Sequence, residues 1–397
     1  MSARDRPLHA QIAWSVALPA LLLMGVGVAF VWSTTRDNAA PLAGRQALSV
    51  LAGLVAAAVV MRMGVRRLAT LAWPGYVAML ALLMAMPLLS DGSNGTDSWI
   101  SLGGGFKLQP SEFMKLALIL VLARHLQHRG VTDTWTSYAG PFLITAVPWF
   151  FVFRQPDLGS AMVMLPIFVA LVTVSGARLA HIALLAGAAA VLLPAAYFVP
   201  GVMRDYQRER IDSFLRPIPA LMDEARELRQ ERNHEAAQEV EADIARLRLG
   251  IGRQQFYSVM ALGSGGLAGE GLGEGLQNRS YGVSVRHADF IFAIIGEEWG
   301  LAGTTAVVAL YAWLLAAILA VAYRTREPFG RLLCVGVAAL LGGQALVNLG
   351  IATGLLPVTG LTLPFVSYGG SSLVASLLAV GCVLDVARQR VDVFFES

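Results

Sequence analysis

Of 397 residues, 56% are hydrophobic and 14% charged, and the mean hydropathy is +0.61. About a quarter of the residues of a soluble domain are charged, so this chain lacks the polar groups to clothe a water-facing surface and reads as a membrane protein. The 30 basic and 27 acidic residues leave a net charge of +3, with no interleaved basic and aromatic patch, which excludes a nucleic-acid partner. Cys334 and Cys382 lie in apolar runs without metal-ligand spacing and read as packing residues.

In chain order, ten apolar stretches approach the roughly 20 residues that a helix needs to cross a bilayer: 12–32, 46–63, 68–89, 112–126, 141–153, 158–175, 179–199, 300–323, 332–355 and 371–386. The fourth and fifth are short, and the fifth is compatible with a re-entrant segment, although Arg154 and Asp157 beyond its end place it at an interface. Arg4 and Arg6 precede the first stretch, which is too long for a signal peptide and is followed by further spans, so it is read as a retained anchor. The predicted fold is therefore an all-α polytopic membrane protein of about ten transmembrane helices.

Basic residues in short loops set orientation. One side holds Arg4, Arg6, Arg62, Arg66, Arg67, Arg124, Arg129, Arg178, Arg324, Arg326, Arg331, Arg388 and Arg390; the other holds Arg36, Arg45, Lys107 and Arg154. Both termini are expected in the cytoplasm. Residues 1–199 then carry seven helices, 200–289 form one large extracytoplasmic loop, and 290–397 carry three more helices. Residues 203–248 hold 20 charged residues, a water-exposed segment. Within it Val240, Ile244, Leu247 and Ile251 are spaced for one face of an amphipathic helix lying on the protein or the membrane surface. Gly263, Gly265, Gly266, Gly269, Gly271, Gly273 and Gly275 form neither a dinucleotide fingerprint nor a P-loop and read as a flexible turn region able to approach a substrate closely. No internal repeat is visible, which disfavours a transporter built from inverted repeats.

Ionisable groups at span ends are costly and mark candidate sites. Glu112 and Lys115, three apart at the start of the fourth span, can neutralise each other as a helix-end ion pair; Lys107 and Lys115 are the only lysines among the 30 basic residues, so a compact ammonium is singled out. Asp157 stands where it can cap the sixth helix. Asp289, after Arg286 and His287, stands where the chain re-enters the membrane, ahead of Glu297 and Glu298; burial raises a carboxylate's pKa, which suits proton abstraction, while an ordinary helix cap is the simpler reading. In 360–372, Pro364 breaks helix and Gly369 and Gly370 leave amides free at a helix start, fit for a phosphate or for a simple capped turn.

Together these stretches resemble the SEDS family of bacterial cell-envelope proteins, the RodA, FtsW and SpoVE group. The resemblance is carried by Trp99, Ile100, Leu102 and Gly103 with 109–115, by 155–159, by Arg210, Ile211, Phe214, Leu215 and Pro217, by 287–298, and by 356–372; 155–159 and 113–115 look more like RodA than FtsW. Departures are Ser98 for a usual Arg, Tyr257 for a usual Gln, Ser284, Val285 and Arg286 for a usual Pro-Glu, and a long insertion at 221–248. The resemblance implies a peptidoglycan glycosyltransferase that polymerises lipid II on the outer face of the cytoplasmic membrane, in elongation or division, with a class B penicillin-binding protein as partner. It implies Asp289 as general base and Glu112, Lys115, Asp157, Arg210, His287, Ser367, Gly369 and Gly370 as substrate-binding residues. It also implies a divalent cation, Mg or Mn, without assigned ligands, and no organic cofactor. The competing expectations are a flippase for a lipid-linked precursor and a scaffold that recruits an enzyme.

Overall fold

A computed structural model describes residues 6–36, 42–90, 98–103, 106–129, 134–155, 157–199, 203, 205–231, 233–249, 251–279 and 286–389. Arg4, Pro156, Pro200, Ser284, Val285 and Arg390 lie outside the described residues, as do the side chains of Arg6, Leu102, Arg129, Arg248 and Ile251. In chain order the helices are α1 (Arg6–Thr35), α2 (Leu42–Met63), α3 (Val65–Leu89), α4 (Pro110–Arg129), α5 (Thr136–Arg154), α6 (Leu158–Val174), α7 (Leu179–Phe198), α8 (Asp205–Leu215), α9 (Ile218–Gln230), α10 (His234–Leu249), α11 (Ile251–Ser264), α12 (Leu276–Arg279), α13 (Ile291–Arg324), α14 (Pro328–Ala352) and α15 (Gly370–Gln389). A small antiparallel hairpin, β1 (Ile100–Gly103) with β2 (Phe106–Leu108), pairs Ile100 with Leu108 and is the one element that departs from an all-helical description among the described residues.

Seven helices among the described residues, α1, α2, α3, α5, α13, α14 and α15, are long and apolar enough to cross a membrane, and α6 is a shorter apolar helix of 17 residues. The polarity of α2 shows what surrounds them. Its buried face carries Gln46, Ser49, Gly53 and Ala57, while Leu48, Leu51, Val55 and Val59 point outward. A helix in a soluble protein has the opposite arrangement; here small residues make the helix contacts and large apolar ones face lipid. The small face packs on α15, where Gly381 lies so near Ala57 that an added Cβ would stand 2.9 Å from its Cα. At the centre of the bundle is α4, whose Met114, Leu118, Ile119, Val121 and Leu122 are fully buried.

The structure corrects several boundaries. α4 and α5 run for 20 and 19 residues, so neither is short and α5 is a continuous helix through Pro141 and Pro148 rather than a re-entrant segment. The expected stripe from Val240 to Ile251 is not one surface helix: α10 ends at Leu249, and Val240 and Ile244 close a separate small core with Ile218, Leu221 and Ala225 of α9. The charged segment is thus a helical hairpin, braced by Arg229 to Glu241 at 2.6 Å and Arg216 to Asp243 at 3.0 Å.

The helix expected to start at Gly300 begins nine residues earlier. A kink at Gly300 (φ 63°, ψ −159°) separates a first part buried from Ile291 to Glu298 from a remainder with a buried face at Val307, Tyr311, Leu314 and Ile318 and an exposed one at Leu301, Val308, Trp313 and Leu319. The glycine-dense stretch is a turn region, as expected, and it accompanies this break. It seats on the backbone of the kink: Glu270 and Gly271 donate their N–H groups to the carbonyls of Glu297 and Glu298, and Leu301 and Ala302 donate back to Gly266 and Leu267. Gly269, at φ +82°, has no room for a side chain, since a Cβ there would lie 2.2 Å from the Glu298 carbonyl oxygen, whereas Gly263 has open space. Gly269→Ala is expected to cost about 2–3 kcal/mol, whereas Gly263→Ala, within α11, should stabilise by up to about 1 kcal/mol, read as a lowered and an unlowered melting temperature of the solubilised protein.

Candidate active site

The residues singled out by sequence fall into two groups joined by α14. The first surrounds the start of α4. Lys115 is fully buried and its Nζ lies 2.8 Å from Glu112 Oε1, the expected pair of neighbours on one helix face. The ammonium also donates to Gln344 Oε1 of α14 at 3.3 Å. The charge is therefore neutralised locally, and no face of Lys115 is open to solvent.

Asp157 does cap α6, accepting the Ser160 N–H at 3.0 Å through Oδ1. Its Oδ2 accepts from Gln109 Nε2 at 2.7 Å and from the Ser111 hydroxyl at 2.6 Å, so the carboxylate also fastens the start of α4 to the start of α6. Ser98, where the related family usually has Arg, donates its hydroxyl to the Gln155 carbonyl, and Gln155 Nε2 donates to the Leu83 carbonyl at 2.7 Å. Tyr257 packs against the main core.

The second group surrounds Asp289, just before α13. Gly360 sits opposite it in the loop between α14 and α15 with φ +81°, and a methyl group there would stand 3.9 Å from both Asp289 Oδ2 and Arg210 Nη2. Arg210 of α8 and Asp289 thus overlook the same glycine. The residue keeps partial contact with solvent, but its carboxylate is densely surrounded. Burial pushes the Asp289 carboxyl up to about 6, the Arg210 guanidinium pulls it down, and the Asp157 carboxylate pushes it up. The His287 imidazole is held below its usual value, first by burial and then by the Arg286 cation, so it is neutral near pH 7.

Ser367 donates its hydroxyl to the Ala288 carbonyl and accepts the Leu363 N–H at 2.8 Å, while Tyr368 N–H donates to the His287 carbonyl at 2.8 Å. As placed, Ser367 holds the Asp289 segment and has both of its ordinary hydrogen-bonding roles filled by the protein. Gly369 and Gly370 form the turn into α15, beside Thr362 and Ser49 respectively. Arg286 is buried and donates to the carbonyls of Thr34 and Asn278. Glu298 accepts from Ser33 at 2.7 Å and Asn278 at 2.6 Å, and Glu297 from the Gln277 and Asn278 N–H groups, so these two acids anchor the short helix α12.

The divalent cation implied by the resemblance finds no preformed cage. Among the described residues no three His, Cys, Asp or Glu side chains gather to hold a metal, and both oxygens of Asp157 are engaged by protein donors.

Two residues were passed over in the sequence: Gln344 and Asn348. Asn348 Nδ2 donates to the Asp289 carbonyl at 2.9 Å and to the Leu361 carbonyl at 2.6 Å, and Gln344 Nε2 donates to the Thr362 carbonyl at 3.1 Å. The signal was available, since two amides four residues apart inside an apolar run are expensive unless partnered.

These features define a polytopic helical membrane protein with a buried ion pair and a raised carboxylate gathered at helix ends. The family of cell cycle proteins that comprises FtsW, RodA and SpoVE matches residues 9–392. The chain is 34% identical to the probable peptidoglycan glycosyltransferase FtsW of Geobacter metallireducens, over 94% of each protein, and 33% identical to the stage V sporulation protein E of Bacillus subtilis, over 93% of this chain and 94% of that one. Among solved structures, a chain of a peptidoglycan synthase complex that coordinates polymerization and crosslinking superposes with a TM-score of 0.76 at 32% identity, covering 97% of this chain and 98% of the other. The rod shape determining protein RodA of Thermus thermophilus superposes with a TM-score of 0.64 at 30% identity, covering 95% and 97%. The chain belongs to the FtsW/RodA/SpoVE family.

Removing one member of the Glu112 and Lys115 pair strands the other charge in the bundle. Lys115→Leu is expected to lower stability by about 3–5 kcal/mol. The double change Glu112→Leu with Lys115→Leu should recover most of that loss, as measured by unfolding in lipid nanodiscs.

Proposed function

We propose that this protein is a peptidoglycan glycosyltransferase that polymerises lipid II, with Asp289 as general base. The observation that carries the reading is the pairing of Asp289, raised to about 6, with the Arg210 guanidinium over Gly360. At neutral pH such a carboxylate is ionised, yet basic enough to accept a proton in the transition state. Asp289 takes the proton of the acceptor sugar's 4-hydroxyl as that oxygen bonds to the donor's anomeric carbon. The bond from that carbon to the lipid pyrophosphate breaks, its electron pair leaves with the pyrophosphate, and the configuration inverts.

The developing negative charge needs a cation that can face it. Arg210 overlooks the Asp289 carboxylate, whereas Lys115 is enclosed and already bound to Glu112 and Gln344. Arg210 is therefore assigned to the pyrophosphate, and Glu112 and Lys115 to holding α4 in place. Asp157, His287, Ser367, Gly369 and Gly370 line or fasten the same region and complete the proposed substrate site. No step runs through a metal: Mg or Mn is expected from the family resemblance alone, and the chemistry needs no organic cofactor.

The proposal includes ten membrane crossings. Besides the seven long apolar helices, the remaining three are α4, α6 and α7, with both termini in the cytoplasm of a bacterial inner membrane. Residues 200–289 then form the outer loop between the bundles 1–199 and 290–397, and Asp289 opens to the outer face. The coordination of polymerization with crosslinking in the superposed synthase complex supports a class B penicillin-binding protein as partner. A place nearer RodA than FtsW rests on 113–115 and 155–159 alone, and the role is in elongation or division. Candidate groups gathered at helix ends rather than at mid-helix disfavour a flippase.

The purified protein with its transpeptidase partner is expected to lengthen glycan strands from lipid II, and Asp289→Ala to abolish synthesis while accumulating in membranes normally. A variant that still polymerises would falsify the assignment of the base. Because the ionised form acts, kcat should fall as pH drops through about 6, by about tenfold per unit well below it.

A further inference from the structure

Gln344 and Asn348 of α14 play no part in the chemistry above. They are four residues apart and share one helix face, and both are almost wholly buried, at 1% and 0% exposure. Gln344 reaches Lys115 and Thr362; Asn348, one turn further on, reaches Asp289 and Leu361. The first carbonyl of the α13 ladder belongs to Phe290, which accepts from Ala293 and Ile294. The carbonyl of Asp289 lies outside that ladder and is held by Asn348. Leu361 directly follows Gly360, the glycine that Asp289 and Arg210 both overlook. One amide therefore ties Asp289 itself to the residue beside Gly360, next to the bonds by which Ser367 and Tyr368 hold Ala288 and His287.

We infer that Asn348 is a positioning residue for the reaction, clamping the carbonyls of Asp289 and Leu361 so that the Asp289 carboxylate stands over Gly360 beside Arg210. This rests on the reading of Asp289 as general base. Asn348 acts on substrate only through Asp289, and its loss should slow the chemical step without weakening binding. The charged or titratable groups that face Asp289 are Arg210 of α8 and Asp157 at the head of α6, with Arg286 and His287 on its own segment. None of them is bonded by Asn348 Nδ2, so their charges remain when Asn348 is replaced.

Asn348→Leu keeps the branching of the side chain, at a larger volume, and removes both N–H donors. In the polymerisation assay with the partner present, kcat is expected to fall about 10- to 100-fold, with KM for lipid II within about twofold. The acid limb of kcat should move to lower pH, because water entering a loosened segment relieves the burial that raised Asp289. A mere loss of folded protein lowers kcat but leaves that limb in place. Full activity, or a lowered kcat with an unmoved limb, therefore overturns the assignment. Should Asn348→Leu fail to accumulate, Asn348→Ser, which keeps one donor, carries the same test: a limb displaced to lower pH supports the clamp and an unmoved one overturns it. Native protein that makes no polymer overturns the glycosyltransferase reading and the clamp together; native activity matched by the variant overturns the clamp alone.

Discussion

A polar group taken into an apolar bundle must be satisfied from within, because lipid offers it no partner. The loop between α14 and α15, buried within the protein, meets the same demand. It carries Phe365 at φ +67°, and its carbonyls approach α1 so closely at Gly27 that a Cβ there would lie 2.5 Å from the Phe365 oxygen. Beside its internal Leu363 to Ser367 bond, neighbouring elements supply its polar contacts: Tyr311 donates to Pro364, Gln344 to Thr362, Asn348 to Leu361, and the loop's own Tyr368 and Ser367 reach back to His287 and Ala288. Satisfying the loop fixes the segment that bears Asp289. The Asp289 segment takes its geometry from hydrogen bonds that burial within the protein makes obligatory.

Much of this was legible in the chain as written, for identifiable reasons. Helices that must cross lipid need long apolar runs, so their existence is encoded locally, and the Asp157 cap and the Glu112 and Lys115 pair are local patterns spanning three residues. What escaped was non-local. The glycines from Gly265 to Gly271 showed that something approaches closely, but not that the partner is the backbone of Glu297 and Glu298. The stripe from Val240 to Ile244 showed an apolar face, but not that Ile218 and Leu221 cover it. Periodicity reports that a face will be buried and says nothing of what buries it.

The site residues divide along the same line. Arg210 and Asp289 are 79 residues apart, and no local pattern joins them; the family resemblance named both, and the fold places them over one glycine. Asn348 and Gln344 looked like isolated amides in an apolar helix. Read by cost rather than by motif, they would have stood out, because each amide that lacked a partner would burden the fold by several kcal/mol.

The two cations of the site show how one chain separates support from reactivity. Lys115 is a compact ammonium, enclosed beside a carboxylate three residues away, and its three donors suit a fixed point inside the bundle. Arg210 carries a planar guanidinium on α8, where it faces Asp289 across Gly360. The near-exclusive use of arginine elsewhere in the chain makes the single buried lysine intelligible as a packing decision.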